Sequence, residues 1–368
     1  MVTNHFTRRI ALLGDDRHAV DVEHRRPTAH AHGAGGRGTE EHRQLVVAAG
    51  GEPCRHEVVT GTSGGEHHAI LPVPGPDAAA DAGEPSAVAR VAAVTVTARQ
   101  VAERIGAHVG VPPRPTTVDG FLAGDPDAPI TGVAVTMMAT FDVLQRAAAR
   151  GLDLVVTHEP LYFHHHGTAD AALAADADPV HAAKAAFVAE HGLVVLHLHD
   201  AWHDRRPDGI LTGTARALGW LDAERPDLPG VYDLPPTTLG ALAAHVAQAL
   251  GARALRYVGD PDTSVSAVGL QPGFHGFDLN RRLLARPDVD VVVIGEGHEW
   301  ETGEYAADAV TAGVCAGVVV VGHVPSEQEG MAEAGRWLAD LVPEVPVELV
   351  AAVDPFRTVG VQGASTRP

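Results

Sequence analysis

Residues 152–160 read LDLVVTHEP. A short, continuous apolar run that begins after Asp153 and stops at Pro160 predicts a strand buried on both faces. The surrounding sequence repeats the theme. Upstream, ITGVAVTM (130–137) reads as a strand and FDVLQRAAARG (141–151) as a helix closed by Gly151. Downstream, DPVHAAKAAFVAEHG (178–192) reads as a helix closed by Gly192, and GLVVLHLH (192–199) as another strand. Near the end, YAADAVTAG, VCAGVVVVG and EGMAEAGRWLADLV read as helix, strand and helix. Strands alternating with amphipathic segments predict an α/β fold with parallel strands and helices on the sheet faces.

The unit recurs. VSAVGLQPGFHGFDLNRRLLARPDVDVVVIGEG (265–297) lines up with the stretch from Ile130 to Pro160. Each has a strand, a loop, a helix, an Asp before the second strand, and polar residues at that strand's end. An internal duplication predicts two related lobes, the second at about residues 225–311.

Three predicted strands run into histidine at their carboxyl ends. LDLVVT leads to His158 and Glu159, GLVVLHL to His199 and then His203, and GVVVVG to His323 and then Glu327. In parallel α/β sheets the carboxyl ends of the strands face a common crevice where ligands bind. One histidine at a strand end is usually a hydrogen-bonded rim residue. Here the pairs His199/His203 and His323/Glu327 are each four residues apart, so on a helical turn each pair shares a face. Imidazole with carboxylate suits zinc, iron or manganese. Several imidazoles and two carboxylates also point to more than one ion, because a carboxylate can bridge two cations and offset their repulsion.

Composition excludes some classes. The net charge is −20, from 47 acidic and 27 basic residues, and such a surface repels nucleic-acid phosphates. No segment approaches the ~20 apolar residues of a membrane span. The opening MVTNHFTRRIALLGDDRH has too short an apolar run for a secretory signal. Cys54 and Cys315 stand far apart and form no motif, which fits a reducing cytoplasm. There is no Walker A sequence.

Residues 1–93 differ from the rest. RPTAHAHGAGGRGTEEHR and PVPGPDAAADAGEPS lack any sustained period and carry the composition of disordered tails. This segment is expected to be a disordered extension, or the product of an upstream start codon. Its histidines, His24, His30, His32, His67 and His68 among them, are expected to be solvated. The folded region begins at about Val94, where Thr97 can cap a helix bearing Val101, Ile105 and Val109.

From there to the C-terminus the chain resembles the NIF-three-like family of dinuclear metal-centre proteins, homologues of GTP cyclohydrolase 1 type 2. That family typically shows a THHP strand end, an HTNLD element and a late GH…E motif. Here they stand as THEP (157–160), HDAWH (199–203) and GHVPSE (322–327), followed by DPF (354–356). Glu159 replaces the family's second His, and His203 replaces its Asp. The exchanges run in opposite directions, so three imidazoles and two carboxylates remain: His158, Glu159, His203, His323 and Glu327. His199 matches a further family His and is either a sixth ligand or a group that orients one. The resemblance implies two similar α/β lobes with mixed, mostly parallel sheets flanked by helices. It places two divalent ions in the inter-lobe cleft and assembles the chain into a toroidal homohexamer built from trimers. Longer family members carry an inserted domain, for which the stretch from Gly219 to Gly295 is too short.

Two functions are open. In the first, the protein is a hydrolase for a small nucleotide-like or heterocyclic substrate, with Glu327 bridging the ions. Glu296, which the duplication places as a partner to His158, is then an acid/base group or a substrate contact. Asp119, His298 and the loop His164–His166 are weaker candidates; the loop is expected to be merely polar. In the second, the same ligands serve a non-catalytic scaffold that stores metal, delivers it or has a regulatory role. A catalytic site keeps an exchangeable water position, whereas a structural one is closed.

Overall fold

A computed structural model describes residues 95–165 and 168–359. The expectations for residues 1–93, with their histidines and Cys54, lie outside the described residues. Two five-stranded sheets organise the described residues. The first holds β1 (Gly120–Ala123), β2 (Val133–Met138), β3 (Leu154–Glu159), β4 (Val194–His197) and β10 (Val347–Leu349), in the order β1-β4-β3-β2-β10. The second holds β5 (Val231–Thr238), β6 (Arg256–Val258), β7 (Ser264–Phe274), β8 (Val291–Glu296) and β9 (Gly317–Val320), in the order β5-β7-β8-β9-β6. The inner strands are parallel. β1, β5 and β6 pair antiparallel at the edges. Among the described residues no helix is long and apolar enough to cross a membrane.

The helices are α1 (Ala98–His108), α2 (Phe141–Ala149), α3 (Thr168–Ala175), α4 (Pro179–Glu190), α5 (Asp200–Asp204), α6 (Gly209–Leu218), α7 (Leu239–Leu250), α8 (Gly276–Leu284), α9 (Glu304–Thr311) and α10 (His323–Leu341). Their starts follow from local chemistry. Thr97 and Gln100 form a reciprocal capping box on α1, and the carboxylates of Asp178 and Asp208 accept the first free N–H groups of α4 and α6.

Both lobes contain the duplicated unit, β2-α2-β3 in one and β7-α8-β8 in the other, each with adjacent parallel strands. The repeated aspartate does the same work in each. Asp153 accepts the N–H groups of Thr131 and Gly132, and Asp290 accepts those of Ser266 and Ala267. Each carboxylate thereby locks the start of one strand to the start of its neighbour.

The strands are held by apolar burial. β3 is buried along its whole length, and Val133, Val135, Val194, Leu338 and Met331 share the first core with it. Each such side chain contributes about 1.5–3 kcal/mol on burial. Helix α10 starts at the end of β9 in the second sheet and packs across β7, β8, β2 and β10. It crosses α6 at Gly213 and Gly330, where a Cβ on either glycine would overlap the other helix's backbone. The close crossing is secured by Trp202, whose indole N–H donates to Gly330 O at 3.1 Å. α10 thus links both sheets and begins where the parallel strands end.

Candidate metal centre

The end of β3 is shaped by Thr157. Its hydroxyl donates to Glu159 O at 2.9 Å and accepts the Ala139 N–H at 3.0 Å. That clamp fixes His158 and Glu159, both buried, just before Pro160 ends the strand. The next strand's end is fixed by Asp119, whose carboxylate accepts the N–H groups of His199, Asp200 and Ala201. This turns the chain from β4 into α5 and presents His199 and His203 on one side. Gly322, at φ +105, turns β9 into α10 and presents His323 and Glu327 on the first helical turns.

The six sequence-predicted ligand residues come together. His158 Nε2 lies 3.6 Å from Glu327 Oε2, and His323 Nε2 lies 3.1 Å from the same oxygen and 3.4 Å from Glu159 Oε1. The His158 ring stacks on His199 at 4.6 Å and meets His203 edge-on at 4.9 Å. Ligand-capable atoms gather in three interlocking trios: His158/His199/His203, Glu159/His165/His199 and His158/Glu159/Glu327. Within each trio the atoms lie within 4.8 Å of one another, and His158, Glu159 and His199 each belong to two trios.

The imidazoles are oriented alike. His158 Nδ1 faces Leu198 O at 3.2 Å, His203 Nδ1 faces Asp208 Oδ2 at 3.0 Å, and His323 Nδ1 faces Glu296 Oε1 at 3.0 Å. All three partners are acceptors, so each Nδ1 carries a proton, and in His158, which burial keeps neutral, Nε2 presents a lone pair to the cluster. Buried His158 Nε2 and Glu327 Oε2 have no aligned hydrogen bond. An orphaned nitrogen facing an orphaned carboxylate oxygen costs stability unless a third group lies between them. The donor set and these orphans fit a cation.

Charge balance agrees. Burial disfavours a charged His323, yet the carboxylates of Glu159, Glu296 and Glu327 outweigh it and push the imidazole up to about 12. Burial, with His203 nearby, pulls His199 down to about 4, and burial pulls His158 well below its usual range. For His203, burial is outweighed by Asp208, and its affinity for a proton rises. The pocket therefore holds two buried carboxylates beside a charged His323 and the neutral rings of His158 and His199, and carboxylates so placed attract positive charge.

Some residues differ from the sequence-based expectation. His165 is more than a polar loop residue: its Nε2 lies 3.4 Å from Glu159 Oε2, and its ring meets His199 at 4.7 Å. The His164–His166 run is its only sequence signal. Glu296 is the counterpart of Glu159 and not of His158, because both stand at the sixth position of their strands, β8 and β3. Asp119 is an anchor for backbone, and His298 lies outside the cluster, paired with Glu301 at 2.9 Å. Asp208 and His275 carried no sequence signal. Asp208 orients His203, while His275 is drawn down in pKa by burial and by His203. Both line a cavity of about 230 Å³ beside His203. A larger, apolar cavity of about 450 Å³ lies on the far side of β4, walled by Ile105, Val109, Leu196 and Leu198, and does not include the clustered ligand residues.

Comparison with known proteins places this geometry. A curated protein of Streptomyces coelicolor, "GTP cyclohydrolase 1 type 2 homolog", is 29% identical over 173 residues, which is 42% of this chain. The match spans 56% of that relative's length. The fold matches the crystal structure of a hypothetical protein from Staphylococcus aureus, with a TM-score of 0.57 at 16% identity, over 72% of this chain and 100% of the other. It likewise matches a Bacillus cereus protein related to NIF3, with a TM-score of 0.56 at 15% identity, over 72% of this chain and 99% of the other. The model of the Duf34/NIF3 (NGG1p interacting factor 3) family matches residues 116–355, an interval that contains every clustered histidine and carboxylate, and the chain belongs to that family.

Proposed function

We propose that this protein is a dinuclear metal-dependent hydrolase acting on a small nucleotide-like or heterocyclic substrate. The supporting observation is the shared orientation of His158, His203 and His323, whose Nε2 atoms converge with the carboxylates of Glu159 and Glu327. His158, Glu159, His203, His323 and Glu327 would hold two divalent ions (zinc, iron or manganese), joined by His199 and His165. Bound there, such ions would lower the pKa of water and polarise a carbonyl or phosphoryl oxygen.

The chain's own groups divide the remaining work. Glu327 lies against both His158 and His323, as a bridging carboxylate would. Glu296 is only half-buried, and its hydrogen bond from His323 holds its pKa below the usual carboxylate range. It is therefore ionised at neutral pH and suits a base or a positioning role better than an acid. The cavity beside His203 and His275 offers room for part of a small substrate, with apolar walls from Leu211, Leu228 and Leu270. The name of the Streptomyces coelicolor relative suggests a cyclohydrolase, and GTP is accordingly the first substrate to assay. We further propose a cytoplasmic protein that assembles as a homohexamer.

Metal analysis of purified protein beside a His323→Ala/Glu327→Ala variant tests the centre. About two ions per chain in the parent and a large loss in the variant are expected; equal metal content in both rejects the site. Metal-loaded protein is then assayed for release of formate or phosphate from nucleotides. A fully loaded protein that turns over none of them would leave metal storage or delivery as its role.

A further inference from the structure

Two neighbouring parallel strands, β7 and β8, end at the metal centre, and each continues into aromatic residues. After β7's Gly273, which lies under Glu327, comes Phe274, paired in register with Glu296 of β8. After Glu296, which bonds His323, come His298 and Trp300. The Phe274 and His298 rings lie 5.5 Å apart. His298 and Trp300 are nearly parallel, at 10° and 6.1 Å between centroids. Together they form an aromatic shelf beside the centre, with His298 and Trp300 near-parallel and Phe274 tilted 47° from His298 at its inner edge.

The shelf is open and held in place. Trp300 is 74% exposed and Phe274 49%. Trp300 rides on a π-helical turn, Glu299–Gly303, a form often found at functional sites. On that turn Glu299 pairs with Arg256, Glu301 fixes the His298 ring, and Thr302 is buried. A tryptophan so exposed, on a turn anchored at both sides, leaves most of its ring surface to solvent.

Resting on the metal-centre reading above, we propose that this shelf is a substrate-recognition surface. A flat heteroaromatic ring stacks on Trp300 and His298, with Phe274 bounding it, while the polar remainder of the molecule reaches toward Glu296 and the ions. Stacking recognises a ring through its π face and tolerates variation at its edges, so this part of the site selects a class of ring rather than one base.

The test uses the full chain loaded with zinc and 2-aminopurine riboside, whose fluorescence is quenched on stacking. Saturable quenching is expected in the parent, with no binding of ribose 5-phosphate by calorimetry. Trp300→Ala is expected to weaken binding about tenfold or more, and Trp300→Phe to retain most of it. Metal content should be unchanged in both variants. No quenching in the parent, or equal affinity in Trp300→Ala, overturns the proposal. So does a smaller particle mass for Trp300→Ala by light scattering, which would assign the shelf to contact with a second copy of the chain. Chelator-treated protein separates the two readings. Quenching that persists in a chain that never binds zinc keeps the shelf and removes the metal centre.

Discussion

Glu159 and Glu296 occupy equivalent positions of the duplicated unit, and they hold the two nitrogens of His323 from opposite lobes. Glu159 Oε1 lies 3.4 Å from Nε2 and Glu296 Oε1 lies 3.0 Å from Nδ1. Equivalent positions have unequal roles. Glu159 faces the clustered ligands, whereas Glu296 supports His323 from outside. Glu296→Gln keeps a hydrogen-bond acceptor for Nδ1 and is expected to weaken metal binding about tenfold, in the range for partners of metal-ligating histidines. Glu159→Gln is expected to weaken it much further. Competition with a chromophoric chelator ranks the two, and the reverse order would contradict this assignment.

Gly273 has φ +73, and a Cβ there would overlap the Glu327 carboxylate. Gly273→Ala must therefore displace either the strand end or Glu327. The expected result is a chain that still folds, shown by an unchanged far-ultraviolet circular dichroism spectrum, but holds fewer ions. Full metal occupancy in this variant would show that the cradle is looser than its geometry indicates.

His165 joins only the trio that contains Glu159 and His199. Its removal should loosen one ion more than the other. Titration of His165→Ala with zinc should therefore resolve one tight and one weakened step, where the parent gives two tight ones. Equal weakening of both steps would make His165 a general support of the loop and not a ligand of one ion.

Lys184, the only lysine, is buried in α4 and donates to Leu161 O at 2.5 Å. Burial pulls its pKa down from 10.5 to about 8. Between those values the unfolded chain binds a proton that the folded chain does not, so stability rises with pH across this window. Below pH 8 both states are protonated, and the cost of a buried charge is felt in full. Relative to Lys184→Met, the parent should gain about 3 kcal/mol between pH 8 and 10.5. Urea unfolding of both proteins at several pH values measures the difference, and a flat difference would refute the shift.

Much of this architecture is legible in the sequence because its central strands are apolar runs with sharp ends. LDLVVT and GVVVV admit few other readings. The aspartate before each second strand, Asp153 and Asp290, marks the repeat. Edge strands escape such reading. β5 contains Pro235 and Pro236, which central strands exclude, and its burial is partial, so no period stands out. β1, β6 and β10 are only three or four residues long. At the centre, the paired motifs identify residues that lie at strand ends and on first helical turns. They do not identify Asp208 or His275, whose roles depend on the distance between a helix cap and a neighbouring lobe. His165 is visible as one of three consecutive histidines, but its approach to Glu159 depends on the path of the loop.

Helix α10 carries His323 and Glu327 at its beginning, while its length is seated against both sheets. An ion held by that first turn would also engage β3 and α5 of the other lobe through His158, Glu159 and His203. Relative slippage of the two lobes would pull these groups apart, and cation release would register the movement. Linkage then runs in both directions: filling the centre should rivet the halves together, and anything that strains their seam should raise the exchange rate of the ions.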